Sequence, residues 1–319
     1  MMDGLLIIDK PEGLTSHDVV ARVRRALKIR RVGHTGTLDP FATGVLVILV
    51  GQATRLAQFL SGAEKEYLAT VRFGYATDTG DLTGKRIETE GAPQNSALET
   101  VPTFGEREIE AALGSLKGEI EQKPPMYSAK KVQGQKLYEL ARRGAEVERK
   151  AVKVFIHELE APERDGALLK SNDDGTSDLF VRVVCSAGTY VRTLAESIGE
   201  RLGVPAHLAA LRRTRAGDFR VADAIGLDAL KERAEAGSAE PFFIPADAAL
   251  RGLPFVHLTA EEARGALHGV ALRLERERAS WPEGQPVRMR DEEGRLVAVG
   301  FYDAAGHRLR PRVVLSPEK

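Results

Sequence analysis

The chain has 319 residues, 43% of them hydrophobic and 29% charged, which is enough for one large core and a smaller module. Its 46 basic and 46 acidic residues cancel to a net charge of zero, so a polyanionic partner has to be argued from where the charges fall. No apolar run approaches the roughly 18 residues that span a bilayer, and the single cysteine, Cys185, excludes a disulfide framework. A cytoplasmic protein with a buried, inert thiol is expected.

In chain order, Gly4 to Asp9 reads as a buried strand. Thr15 or Ser16 caps a helix through Val19, Val20, Val23 and Leu27 whose other face carries arginines. A loop rich in Gly, Thr, Asp and Pro covers Gly33 to Gly44, and the apolar run Val45 to Val50 predicts a central strand. Ala53 to Leu60 reads as a short helix and Tyr67 to Phe73 as an alternating strand. Arg107 to Leu116 and the basic Lys136 to Arg143 read as helices, Val152 to Leu159 and Leu179 to Ser186 as strands, and Thr189 to Leu202 as an amphipathic helix. Strict βαβ alternation is absent, so the predicted class is α+β with a largely antiparallel mixed sheet. A first domain is expected over residues 1–245. After Pro241, Pro245 and Pro254, a small β-rich domain is expected over 250–319, with a helix at Ala260 to Leu267 and strands at Val287 to Arg290, Leu296 to Tyr302 and Arg308 to Leu315.

The charges are unevenly placed. Ala21 to Arg31 holds six basic residues and no acid, and Lys123 to Lys153 holds nine against three acids. Both are candidate phosphate contacts, although either run could equally be a solvated face. Acidic stretches at Glu88 to Glu110 and Ser171 to Asp178 offset them.

The most informative segment is Arg31 to Arg55, RVGHTGTLDPFATGVLVILVGQATR, where a glycine-punctuated polar loop carrying one carboxylate precedes an apolar strand. Such a loop presents its acid beside a rigid scaffold, and Pro40 pushes Asp39 toward extended backbone. The same residues also fit a structural turn, since Asp-Pro and Thr-Gly are ordinary turn pairs. Thr77 to Gly84 holds Asp78 and Asp81 among glycines but lacks the oxygen spacing of an EF-hand, so a turn with side-chain caps is expected. There is no P-loop, dinucleotide fingerprint or zinc spacing, and neither cofactor nor metal is expected.

The segments GHTGTLDPFATGVL and GQATR are joined by IIDKPEGLTSHDVV (7–20), KEYLATVRFGYATDTGDLTG (65–84), PPMYSAKKVQGQKLYELARRG (124–144) and CSAGTYVRTLAESIGERLG (185–203). Together, and in this order, they resemble the TruB family of pseudouridine synthases over nearly the whole chain. The resemblance implies a pseudouridine synthase catalytic domain followed by a PUA-like RNA-binding domain. It also implies isomerisation of uridine 55 in the T loop of tRNA, in which the base is flipped out, its glycosidic bond cleaved and the ring rejoined through carbon without any cofactor.

On the same grounds Asp39 matches the catalytic aspartate, acting by an acylal, Michaelis-type or glycal route. Arg192 matches the arginine that pairs with it, and Tyr67 the tyrosine that stacks on the flipped base, a candidate for proton transfer at C5. Tyr190 and Leu211 match residues of the uracil pocket, His34 a histidine that stacks in the RNA after flipping, and Lys10 a supporting lysine. Residues 123–152 match an RNA-binding insertion called the thumb, whose Lys130, Lys131, Lys136, Arg142 and Arg143 would meet phosphates. Arg288, Arg308, Arg310 and Arg312 would reach the acceptor stem. A monomer with no obligate protein partner is implied. Two alternatives share the scaffold: a guide-RNA-dependent, dyskerin-type enzyme, and a non-catalytic tRNA-binding or tRNA-folding protein.

Overall fold

The computed structural model describes residues 3–87, 103–128, 131–132, 135–136, 147–164, 166–274 and 281–315. Its main sheet is framed by β1 (Gly4–Lys10), β2 (Val32–His34), β3 (Thr43–Val50), β4 (Lys65–Phe73), β5 (Gly118–Gln122), β6 (Val152–Glu160), β7 (Ser177–Cys185) and β8 (Ala206–Ala216). The order across it is β1-β3-β8-β4-β7-β6-β5. Neighbours run antiparallel except β3 and β8, which are parallel, so the α+β class with a largely antiparallel sheet holds.

The feature that places the site is the second edge of β3. Its C-terminal half pairs with β2, from Val32↔Val50 to His34↔Ile48. Its start pairs with β8, Thr43 with Arg212 and Gly44 with Arg213. The chain between β2 and β3 therefore emerges where the sheet forks.

Leu5 to Ile8 of β1 and Val45 to Val50 of β3 are unbroken apolar runs because both faces of these strands are covered. Leu5, Ile7, Val45, Val47 and Leu49 pack on one side. Leu6, Ile8, Leu46, Ile48 and Val50 face α1 (Ser16–Leu27) on the other. Thr15 starts that helix with a capping box, its hydroxyl accepting from the Asp18 N–H while Asp18 accepts from the Thr15 N–H, an arrangement that satisfies two of the helix's orphan donors. On the other half of the sheet, α2 (Glu106–Gly114) and α3 (Val191–Leu202) cover Tyr67, Ala69, Val71 and Phe73, the buried alternate positions of β4. Helix α4 (Leu227–Glu235) packs beside α1.

The C-terminal β-rich domain is a five-stranded sheet of β9 (Phe255–His257), β10 (Leu272–Arg273), β11 (Pro286–Arg290), β12 (Leu296–Asp303) and β13 (Arg308–Val314), ordered β9-β11-β12-β13-β10, with α5 (Ala260–Leu267) against it. It shares a core with the main sheet, since Val299, Val313 and Leu315 join the cluster of Leu5, Ile7, Val47 and Leu49. Arg55 also donates to the Val314 carbonyl.

Some expectations need correction. Gly33 and His34, read as loop, are strand, because Val32 to His34 can pair with the free edge of β3. β5 and β8 were not expected at all; the arginines of β8 mask its alternation, and each finds a partner, Arg212 on Asp9 at 2.8 Å, Arg213 on the Val45 carbonyl at 2.6 Å and Arg215 on Glu64 at 3.5 Å. Lys136, read as helical, lies in a two-residue strand, Gln135–Lys136, that pairs with Lys131–Val132. Residues 137–143 lie outside the described residues. Arg288 is no free RNA contact: it is 5% exposed and donates to the Leu253 carbonyl at 2.8 Å and to Asp247 at 3.2 Å.

Candidate active site

Asp39 sits in the segment that leaves the fork, and its neighbours are tied down on both sides. Ser16 Oγ donates to the Leu38 carbonyl at 3.1 Å and accepts from the Leu38 N–H at 2.8 Å. The wholly buried Lys10 donates from Nζ to the Pro40 and Pro11 carbonyls at 3.1 and 2.9 Å, and the Ala42 N–H donates to the Asp39 carbonyl at 3.1 Å. Gly44, where the segment enters β3, has φ of +98°, and a Cβ there would lie 2.2 Å from the Arg213 carbonyl oxygen. Only glycine fits that approach.

Arg192, in the first turn of α3, meets this carboxylate. Its side chain is 5% exposed, with Nε 3.0 Å from Asp39 Oδ2 and Nη2 3.4 Å from Oδ1. The rest of the fork is spent on backbone, Nη1 donating to the Thr79 carbonyl at 2.9 Å and Nη2 to the Tyr127 carbonyl at 2.7 Å. A second acid, Asp81, lies 3.6 Å from Nη1 and accepts from the Thr83 N–H, the Thr83 hydroxyl and the Thr79 hydroxyl. Thr77 to Gly84 is thus the side-chain-capped turn expected. Burial pushes the Asp39 carboxyl above its ordinary range; the Arg192 charge opposes that rise and Asp81 adds to it. Two carboxylates therefore share one guanidinium, whose charge works against the burial-driven rise at Asp39.

Asp39 opens onto a cavity of about 230 Å³ whose walls include Tyr67, Tyr190, Arg192, Leu211 and Arg213, far larger than the roughly 10–15 Å³ that one water needs. Tyr67 stands opposite Arg213 across β4 and β8. Burial raises its phenol above the ordinary value, against the pull of the Arg213 charge, so it remains a neutral ring. Arg213 itself donates to the Val45 carbonyl at 2.6 Å and the Gly36 carbonyl at 3.1 Å, bracing the segment that carries Asp39. Gln122 holds Tyr190 from both sides of its backbone, accepting from its N–H at 2.9 Å and donating to its carbonyl at 3.3 Å.

The structure thus gathers Asp39, Tyr67, Arg192, Tyr190 and Leu211 around one cavity, with Lys10 behind the loop. His34 does not line it. On β2, His34 accepts from the Gly36 N–H at 3.3 Å and meets His17 edge-on at 5.5 Å. Burial, with the charges of His17 and Arg213, pulls it down to about 4. Lys130, Arg142 and Arg143 lie outside the described residues, and Lys131 is described as backbone alone.

Sequence reasoning missed Ser16, Asp81 and Arg213. The threonines at 77, 79 and 83 around Asp81 were the available signal. Ser16 looked like a cap, and Arg213 was not singled out.

Residues 24–191 match the model of the TruB family pseudouridylate synthase N-terminal domain, and residues 192–251 that of the tRNA pseudouridylate synthase B C-terminal domain. Among curated proteins, the chain is 48% identical to a tRNA pseudouridine synthase B of Geobacillus thermodenitrificans over 86% of each chain. It is 40% identical to one of Bacillus subtilis over 99% of this chain and 98% of that one. Among solved structures it resembles a chain of an H/ACA RNP bound to a substrate RNA containing 2′-deoxyuridine, with a TM-score of 0.70 and 26% identity over 98% of this chain and 85% of that one. A chain of the archaeal box H/ACA sRNP Nop10-Cbf5 complex gives a TM-score of 0.68 and 27% identity over 98% and 86%. With its loop, guanidinium and cavity on a scaffold matched along almost its whole length, this chain belongs to the TruB family of pseudouridylate synthases, which are isomerases.

Proposed function

We propose that this chain converts uridine 55 in the T loop of tRNA to pseudouridine, with Asp39 as the catalytic residue. The observation that carries the proposal is the Asp39 carboxylate, held at 3.0 Å by Arg192 and still 32% exposed on the side facing the cavity. Each of the three routes open to the aspartate needs an anion at the sugar of a nucleotide that has left its stack. Arg192 keeps the anion, and the cavity gives the displaced nucleotide room beside it. Tyr67, as a neutral phenol, suits stacking on the base better than removing a proton from C5. His34, neutral near pH 7, suits stacking in the RNA beside the cavity rather than acid–base work. The names of the curated relatives supply the tRNA.

In this reading residues 1–245 form the catalytic unit with its RNA-binding insertion at 123–152, and residues 250–319 a PUA-like RNA-binding domain. The protein acts in the cytoplasm as a monomer. Lys131, with Lys130, Arg142 and Arg143, belongs to the phosphate-binding surface.

The test is to incubate the protein with an unmodified tRNA transcript, without metal or nucleotide, and map pseudouridine, with Asp39→Asn alongside. Product in the T loop from the wild type alone is expected. Product elsewhere would overturn the specificity. Binding without product from tRNA alone would favour the guide-dependent reading, which the likeness to chains of H/ACA particles over 98% of this chain keeps in view.

A further inference from the structure

Several hydroxyls line the cavity beside Asp39, and those of Ser61, Thr189 and Ser186 are committed to the fold. Ser61 donates to the Ala57 carbonyl at 2.7 Å, Thr189 to the Ser186 carbonyl at 2.9 Å, and Ser186 Oγ accepts from the Phe155 N–H at 2.9 Å. Ser128 differs. It lines the same cavity and is 5% exposed, and its Oγ has no partner among the described residues. Nor is it loosely placed, because the preceding carbonyl, that of Tyr127, accepts from Arg192 Nη2 at 2.7 Å, and that same nitrogen lies 3.4 Å from Asp39. Buried hydroxyls without partners are rare because burial removes water and returns nothing. One fixed within a reactive cavity is completed when a ligand arrives.

We infer that Ser128 Oγ forms a hydrogen bond with the flipped uridine, to a carbonyl of its base or to its ribose 2′-hydroxyl, and is thereby a positioning residue for the isomerisation. The inference rests on the function proposed above. Ser128 follows a carbonyl gripped by the arginine that holds Asp39, so nucleotide, hydroxyl and carboxylate are set by one guanidinium. A hydroxyl both donates and accepts, so it aligns the nucleotide without selecting one base over another.

The test is single-turnover pseudouridine formation by the full chain on an unmodified tRNA transcript, comparing wild type with Ser128→Ala and Ser128→Cys. Ser128→Ala is expected to be about tenfold slower, and Ser128→Cys, a weaker donor, to fall between. RNA affinity should stay within about twofold, since phosphate contacts dominate it. The melting temperature of the free protein should be unchanged or higher in Ser128→Ala, because the substitution removes an unpartnered atom and not a bond. A lower melting temperature would show a structural partner and overturn the inference.

Transcripts with 2′-deoxyuridine, 2-thiouridine or 4-thiouridine at the target identify the contact, since the Ser128→Ala defect shrinks on the analogue that lacks it. An equal defect on all three would also overturn it. Wild-type turnover with Ser128→Ala at full rate sinks this inference alone, whereas no product from wild type removes the functional reading and this inference with it.

Discussion

Arg192 and Asp39, 153 residues apart in the chain, meet at 3.0 Å, and the same guanidinium stands 3.6 Å from Asp81. Its charge is the largest influence holding the Asp39 carboxyl down against burial. In Arg192→Gln the charge goes while part of the hydrogen bonding survives, so Asp39 should hold its proton to higher pH. The acid limb of the pH–rate profile is expected to move up, and the rate at neutral pH to fall by about 10²-fold or more. A fall in rate with the acid limb unmoved would show that Arg192 acts by other means.

Asp39→Asn tests the same acid from the side of stability. The folded carboxyl lies above its ordinary value of 3.8, so its contribution is fully present below that value and is lost as pH rises through the folded value. The wild type therefore carries an unfavourable buried anion at neutral pH that the asparagine variant does not. Asp39→Asn should melt higher than wild type at pH 7, with the advantage shrinking toward pH 4, while turnover disappears. Melting curves at the two pH values decide it; an advantage that grew toward low pH would contradict the shift.

Local pattern made most of the fold legible. The alternation of β4, the unbroken apolar runs of β1 and β3, and the Thr15 cap are all decided within a few residues. β8 was hidden because its arginines become acceptable only when Asp9, Glu64 and the Val45 carbonyl arrive from elsewhere. The candidate site was legible only through the family resemblance, since spacing alone left Asp39 as a possible turn residue. Its supports, Ser16 on Leu38 and Arg213 on Val45, are long-range bonds that no local pattern announces.

The exposed face of α1 offers a direct measure of RNA electrostatics. Arg22 and Arg25 are exposed, whereas Arg24 also donates to the Val32 carbonyl at 2.7 Å and so supports β2. If the helix meets phosphates, Arg22→Gln and Arg25→Gln should each weaken tRNA binding and lower the slope of log affinity against log salt by about 1. Arg24→Gln should also lower the melting temperature. Unchanged slopes in the first two would place the RNA on another surface.

Lys10 carries the last prediction, because a fully buried ammonium must leave a trace in stability. Burial draws it from 10.5 down to about 8, while Nζ spends its donors on the carbonyls on either side of the loop base, Pro11 and Pro40. Below pH 8 both folded and unfolded chains hold the proton, and the folded one bears the cost of the buried charge. Between 8 and 10.5 the folded chain releases the proton first, so the lysine's contribution improves as pH rises and falls away as pH drops through 8. Relative to Lys10→Met, which keeps the bulk and removes the charge, the wild type should gain stability by up to ~3 kcal/mol across that window. The variant's turnover should drop at every pH, since the Pro40 carbonyl loses its tether beside Asp39. Denaturant titrations of both proteins at pH 7 and pH 10 measure the gain, and a constant difference between them would mean that Lys10 keeps its ordinary proton affinity in the fold.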